Sequence, residues 1–554
     1  MVENSKYSIA RSLYVVLGLV LLVGCAQKEV YDVILRNGTI YDGSGQKPYV
    51  GDIAIQADTI AAIGDLNNAK GAEEIDVNGL AVAPGFINML SWANESLIED
   101  DRSQGDIRQG VTLEVLGEGW SMGPLNEVMK QELIDDQGAI QYEIKWTSLG
   151  EYLEYLAKRG VSTNVASFVG NGGVRQYVMG YENRTATKEE LEKMKDLVRE
   201  AMEEGAVGLS SALIYQPSSH ASHAELIELA NVAKRYNGMY ISHVRSEGEK
   251  LVEAIGEVIS IARETGIRAE VYHFKAAGTD NWSKLDKAIA VIEKAQEEGL
   301  HITTDMYMYP ASSTGLNVVL PMWAREGGID KTIEMIKRPM LRKKIRDEIS
   351  LHVPPEKILL VGFKREAMRK YMGKNLQEVA EERGEDPKDT IVNMIEEDGS
   401  RIQVVYFSMS KENVKKKIAL PYMSFCSDAA SMTNEGVFSK QSTHPRAYGS
   451  FARLLGKYVR EEKVIPLEEA IKRLTSFPAS NLKVEKRGSL KPGFFADIVA
   501  FDPETITDHA TFTEPHQYAT GMVHVFVNGG RVIKDGEHTG EKPGRVVRGP
   551  GYRP

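Results

Sequence analysis

The middle of the chain alternates short apolar strand-like runs with amphipathic helical ones, and this alternation is the strongest constraint on its fold. Residues 206–211, 239–242, 268–272 and 302–306 read as strands, and residues 224–233, 251–262 and 285–295 carry apolar side chains at helical spacing. The later repeats come about every 30 residues, the length of one βα unit, and eight such units close into a (β/α)8 barrel. Adding residues 80–87, 111–116, 164–169, 404–407 and 422–426 gives nine candidate strands, one more than a barrel needs. Periodicity alone does not say which is surplus. Residues 320–400 are charged and helical in pattern and read as an insertion between late barrel units.

The two ends have a different texture. Residues 31–35 and 52–55, with Asn37-Gly38 turn chemistry between them, read as short strands, and similar runs return at 496–501 and 523–530. The sequence therefore predicts an α/β chain: a barrel over 84–480, with a small β-sandwich built from residues 25–83 and 481–554. Ahead of it, Lys6 and Arg11 precede an apolar run over residues 13–23, which is long enough for a signal peptide and short for a membrane span. The run ends in Leu22-Val23-Gly24-Cys25, which resembles the lipobox of bacterial lipoproteins. That resemblance implies cleavage after residue 24, lipidation of Cys25, and a chain anchored to the cell envelope by lipid alone, periplasmic or surface-facing. The alternative is an uncleaved amphipathic start with a buried cysteine. After cleavage Cys426 is the sole other thiol, so an internal disulfide is excluded. Acidic residues outnumber Lys and Arg, the net charge is −11, and there is no long basic block. A nucleic-acid partner is thereby excluded, because nothing would neutralise a phosphate backbone.

Polar residues recur where the apolar strands stop. Glu118 follows 111–116, His243 follows 239–242, His273 follows 268–272, and Asp428 follows 422–426. Barrel active sites lie at the C-terminal ends of the strands, so these four side chains can meet at one mouth. Two imidazoles and two carboxylates suit a divalent ion such as zinc. Taken singly, each has an ordinary structural role open to it: a strand-end histidine in the core, a capping or salt-bridging Glu118, a turn aspartate at 428.

The stretches Gly208-Leu209-Ser210-Ser211-Ala212-Leu213-Ile214-Tyr215, Ile241-Ser242-His243-Val244-Arg245-Ser246-Glu247-Gly248 and Tyr272-His273-Phe274-Lys275-Ala276-Ala277-Gly278 resemble the D-aminoacylase (N-acyl-D-amino-acid deacylase) family of the amidohydrolase superfamily. So do His444-Pro445-Arg446-Ala447-Tyr448-Gly449-Ser450-Phe451, Gly493-Phe494-Phe495-Ala496-Asp497 and Asn528-Gly529-Gly530, in the same order along residues 31–550. The resemblance implies His243 and His273 as zinc ligands, with Glu118 where well-known members carry a cysteine, and Asp428 as the base that takes a proton from water. It implies Lys275, Tyr309, Arg446 and Tyr215 around the substrate, a small N-acyl amino acid.

The departures are as specific. Where the family has Pro-Gly-Phe-Ile-Asp-x-His-x-His, this chain reads Pro84-Gly85-Phe86-Ile87-Asn88-Met89-Leu90-Ser91-Trp92, and a family Gly-His-Gly appears as Gly170-Asn171-Gly172. Leu90 and Trp92 cannot ligate, so one zinc ion is expected, and Trp92 and Trp120 are expected to crowd the mouth. The resulting expectation is a zinc-dependent amidohydrolase cleaving the amide of N-acyl amino acids of the D series. The alternatives are an amidohydrolase of cyclic imides, ureides or peptide-like amides, and a binding lipoprotein on a hydrolase barrel that no longer turns over.

Overall fold

The computed structural model describes residues 30–554; the expected signal segment and Cys25 lie outside the described residues. Strands β1 (Val30–Ile40), β2 (Tyr49–Gln56), β3 (Thr59–Gly64), β4 (Lys70–Asp76) and β5 (Ala81–Pro84) come first. There follow β6 (Phe86–Asn88), β7 (Val111–Leu116), β8 (Asn164–Ser167), β9 (Val169–Gly170), β10 (Gly208–Ala212), β11 (Met239–His243), β12 (Arg268–Val271) and β13 (Ile302–Met306). The remainder are β14 (Ser312–Gly315), β15 (Ile358–Gly362), β16 (Gln403–Tyr406), β17 (Met423–Phe425), β18 (Ile498–Phe501), β19 (Met522–Val527), β20 (Gly530–Lys534) and β21 (Glu537–His538).

The barrel is made of β6-β7-β8 and of β9-β10-β11-β12-β13-β17, all parallel. β8 and β9 are two halves of one strand interrupted at Phe168, so the nine segments make eight staves. Closure between last and first runs through backbone bonds: Met89 N donates to Phe425 O at 3.3 Å, and Asp428 N to Leu90 O at 2.9 Å. Helices His223–Arg235, Leu251–Thr265 and Lys284–Glu297 return the chain between successive staves, each with a buried apolar stripe against the sheet. Ile87, Met89, Leu113, Val115, Phe168, Ile241 and Tyr272 help fill the interior, so the barrel is a core and its function is confined to one rim.

The ends of the chain form one nine-stranded sheet in the order β21-β20-β19-β18-β5-β1-β2-β3, with β4 branching from β1. Its core comes from both termini, Leu35, Ile53, Ile55 and Val82 packing with Leu490, Ile498 and Phe526. The single strand expected over 80–87 is two strands in two sheets: β5 pairs with β18 of the end sheet, and β6 with β7 of the barrel. Gly85 is the joint, since a Cβ there would lie 2.0 Å from Thr112 Oγ1.

The surplus strand is 404–407. It is β16, which pairs antiparallel with β14 and β15 in a separate three-stranded sheet. That sheet and the helices between its strands surround a core of their own, with Leu316, Ile336, Ile358, Leu376, Ile395 and Val404. The inserted unit thus runs from 312 to 406, wider than the helical stretch 320–400, and joins β13 to β17. It leans on the loop after β10, where the Tyr215 and Thr314 hydroxyls lie 2.9 Å apart.

Candidate metal centre

Glu118 reaches the mouth because the chain leaves β7 through a pair of glycines in left-handed conformations, Gly117 (φ 97°) and Gly119 (φ 66°). At Gly117 a Cβ would sit 2.4 Å from Phe168 O, so the loop is pressed against its neighbour with no room for a side chain. Ser210, in β10, staples the loop from the other side: its hydroxyl accepts from Gly119 N at 3.0 Å and donates to Gly117 O. His243 is the last residue of β11. His273 follows β12 in a left-handed turn (φ 33°), and its backbone N–H is held by Asp305 Oδ1 of β13 at 2.7 Å. The staves of this half of the barrel therefore fix three side chains on one rim.

Those three converge. Glu118 Oε1 lies 2.8 Å from His243 Nδ1 and 2.9 Å from His273 Nε2, and all three residues are buried. One donor atom from each lies within 4.8 Å of the others, and this is the metal-capable cluster found among the described residues. The imidazole rings meet edge to face at 4.4 Å. His243 Nε2 is buried without a hydrogen-bond partner. Two imidazoles and a carboxylate, buried and presenting lone pairs to a common point, are a donor set that catalytic zinc uses, so the residues present fit the ion.

Behind them stands Glu247, which the sequence reading left without a role. Its Oε1 lies 3.1 Å from His273 Nδ1 and 3.7 Å from His243 Nε2, and it pairs with Lys275. Glu247 and Lys275 both bear on the far nitrogen of His273 and fix the orientation of its ring. Electrostatics follow the geometry. Burial opposes charge on Glu247 but Lys275 and the two histidines outweigh it, holding its carboxyl well below the usual range. Burial likewise opposes charge on Glu118, and the bonds from His243 and His273 again prevail and lower it. Burial and Lys275 push His273 down, yet Glu247, Asp428 and Glu118 together raise it to about 10.

Across the mouth lies Asp428, itself in a left-handed conformation (φ 49°). Its Oδ2 accepts from Arg446 Nη1 at 2.6 Å and its Oδ1 from Trp92 Nε1 at 3.2 Å. Arg446 stacks on the ring of Tyr307 at 4.5 Å, and the Lys275 ammonium lies 5.8 Å from the same ring. Tyr215 packs edge-on to His243 at 5.3 Å, and burial pushes its phenol up to about 12. Lys275 is not a free cation: its Nζ lies 2.7 Å from His273 Nδ1 and pairs with Glu247.

The expectation for Tyr309 needs correction. Its hydroxyl is taken by Asp508 Oδ2 at 3.2 Å and its ring carries the Arg453 guanidinium, so it belongs to a neighbouring ion-paired cluster. The tyrosine among the mouth cations is Tyr307, whose buried hydroxyl has no partner. Of the two crowding tryptophans, Trp120 instead donates to Gln176 Oε1 at 3.1 Å and lies against Gly172. Asn171 accepts from Ser218 Oγ at 2.5 Å and starts a helix, while Leu90 is fully buried.

The model of the amidohydrolase family matches residues 440–533. D-aminoacylase of Alcaligenes xylosoxydans xylosoxydans is 32% identical over 528 residues, which cover 94% of this chain and 98% of that protein. The chain belongs to the D-aminoacylase family of amidohydrolases. A solved structure of D-aminoacylase, concerned with one-metal activation and second-metal attenuation at its binuclear centre, is 31% identical with TM-score 0.79, covering 94% of this chain and 100% of that one. N-acyl-D-glutamate deacylase of Bordetella bronchiseptica, solved with zinc and a phosphonate that mimics the tetrahedral intermediate, is 30% identical with TM-score 0.78 and the same coverage.

Proposed function

We propose that this family member is a zinc-dependent deacylase that hydrolyses N-acyl-D-amino acids to a carboxylic acid and a free amino acid. The observation that carries the reading is the convergence of Glu118, His243 and His273 on one rim of the barrel with Asp428 across from them. The activities and D-stereochemistry of the two family members named above support the substrate class. When bound by Glu118, His243 and His273, zinc supplies Lewis acidity toward an amide carbonyl and acidifies water. Asp428 takes a proton from the attacking water and returns it to the nitrogen of the departing amine, so one carboxylate serves both steps. The amide C–N bond breaks as the new C–O bond forms. Arg446 and Lys275 are the cationic side chains at the mouth, each paired with a carboxylate, and their remaining N–H groups suit a substrate carrying a free carboxylate.

We read the site as holding one ion. Leu90 has no donor atom, Trp92 offers only an N–H, and the Asn171 oxygen is engaged by Ser218. The one-metal activation of D-aminoacylase supports this reading. The test uses the chain lacking residues 1–24, with bound metal measured and N-acetyl-D- and L-amino acids assayed. The expected result is about one zinc per chain, D-selective turnover, and an Asp428→Asn variant that keeps its zinc and loses roughly 10²–10⁴-fold in kcat. Full activity in that variant would exclude the assigned base, and binding without turnover would make the protein a binding module.

The cell-envelope location is part of the same proposal, with lipid on Cys25 as its anchor. Among the described residues no helix is long and apolar enough to cross a membrane. Cys25→Ala is expected to abolish incorporation of labelled fatty acid into the full-length protein; unchanged incorporation would refute the anchor.

A further inference from the structure

We infer that Trp92 is a positioning residue for Asp428, its indole N–H standing where a second cation would otherwise hold that carboxylate. The catalytic consequence rests on the deacylase reading; the contact does not. The exits of the first and last staves are zipped together at this point. Asp428 N donates to Leu90 O at 2.9 Å, and Trp92 N to Ala429 O at 2.9 Å. This brings the Trp92 side chain back over Asp428, where Nε1 donates to Oδ1 at 3.2 Å. The other carboxylate oxygen is fixed by Arg446 Nη1 at 2.6 Å.

Both oxygens of the base thus have one directional donor each, from two different elements. An aspartate in a left-handed conformation, free to rotate about its side-chain torsions, gains a defined carboxylate plane from this pair of bonds. An indole nitrogen donates and cannot accept, so Trp92 orients the carboxylate without competing for metal. Arg446 brings a positive charge to the other oxygen, and it is itself buried against Tyr307. Trp92 is 36% exposed, so its ring borders the mouth and its replacement leaves the barrel core intact.

The experiment compares Trp92→Phe, which keeps an aromatic ring and removes the N–H, with Trp92→Gln, whose amide restores a donor. In the zinc-loaded chain lacking residues 1–24, the Phe variant is expected to lose about tenfold in kcat with KM within about twofold, as a misplaced catalytic group does. Its zinc content stays at about one per chain. The Gln variant is expected to recover kcat to within about threefold of the parent. Unchanged kcat in the Phe variant, or equal losses in both, would overturn the inference. A second readout is spectroscopic. The chain has 5 tryptophans, and with ¹⁵N-labelled indoles the N–H resonance that disappears in Trp92→Phe is Trp92. That resonance is expected to move in Asp428→Ala, and its failure to move would overturn the contact. If the parent turns over no N-acyl amino acid, the deacylase reading falls while the resonance still judges the contact.

Discussion

The two halves of the barrel mouth have opposite chemistry. On the side of β7, β11 and β12, Glu118, His243 and His273 turn lone pairs toward one point, with Glu247 and Lys275 behind them. On the side of β6 and β17, Leu90 is buried, and Trp92 and Arg446 turn N–H groups toward Asp428. The first half is a place for a cation. The second offers a carboxylate already surrounded by donors, one of them charged. Where the family resemblance would place a histidine pair on the first strand, this chain has Leu90 and Trp92, and the aspartate across from them is held by N–H donors.

The largest expected effect breaks the metal-holding half. His243→Ala removes one of three donors, and zinc per chain is expected to fall from about one toward zero, with turnover down at least about a hundred- to thousandfold. Metal analysis and kcat/KM on an N-acetyl-D-amino acid check this; retained zinc would show that the ion sits elsewhere. A smaller change of opposite sign sharpens the contrast. Leu90→His with Trp92→His restores two imidazoles beside Asp428, and the double variant is expected to bind a second equivalent of zinc at saturating metal while the parent stays at one. Equal stoichiometry in both proteins would show that the side chains at 90 and 92 are not what limits the count.

Much of this was legible in the sequence because barrel chemistry sits where apolar runs stop. His243, His273 and Asp428 each follow such a run, and the glycines flanking Glu118 mark the tight exit that carries it inward. Glu247 was hidden, because only the path of the loop after β11 brings a residue four positions past His243 back against both rings. Tyr307 and Tyr309 were confused because residues two apart in an extended segment share a face, and only the distant Asp508 and Arg453 draw the second one away. Trp92 registered as a missing ligand, since nothing local shows that residue 428 lies within reach of its indole. In the fold, β16 has the same apolar pattern as a barrel strand, and its partner β14, Ser312-Ser313-Thr314-Gly315, has no alternation to betray a sheet. Pairing across 90 residues of inserted chain decides the matter, and composition does not carry that information.

The smallest expected effect concerns what each half stands on. Beneath the zipped half, Glu114 of β7 accepts from Ser103 Oγ at 2.9 Å and Asn88 Nδ2 at 3.1 Å, and burial raises its carboxyl. Beneath the metal half, Glu270 of β12 accepts from Thr303 Oγ1 at 2.5 Å and Ser424 Oγ at 3.2 Å. Burial first, and then the charge of Asp305, push Glu270 up to about 8. An unfolded glutamate titrates near 4.3. The fold therefore favours the protonated carboxyl, so its contribution to stability is fully present below about pH 4.3 and is lost progressively as pH rises to about 8. Glu270→Gln removes this titration and keeps the shape. Replacing a carboxyl by an amide among hydroxyl donors sets a constant offset between the two proteins, and the pH slope isolates the titration from that offset. Calorimetric Tm of variant minus parent is expected to rise steadily between pH 5 and pH 8 and to level off above, because each pH unit between the unfolded and folded values is worth roughly 1.4 kcal/mol. A difference that stays flat across that range would mean that Glu270 is ionised throughout, and that the floor of the metal-holding half carries a full negative charge.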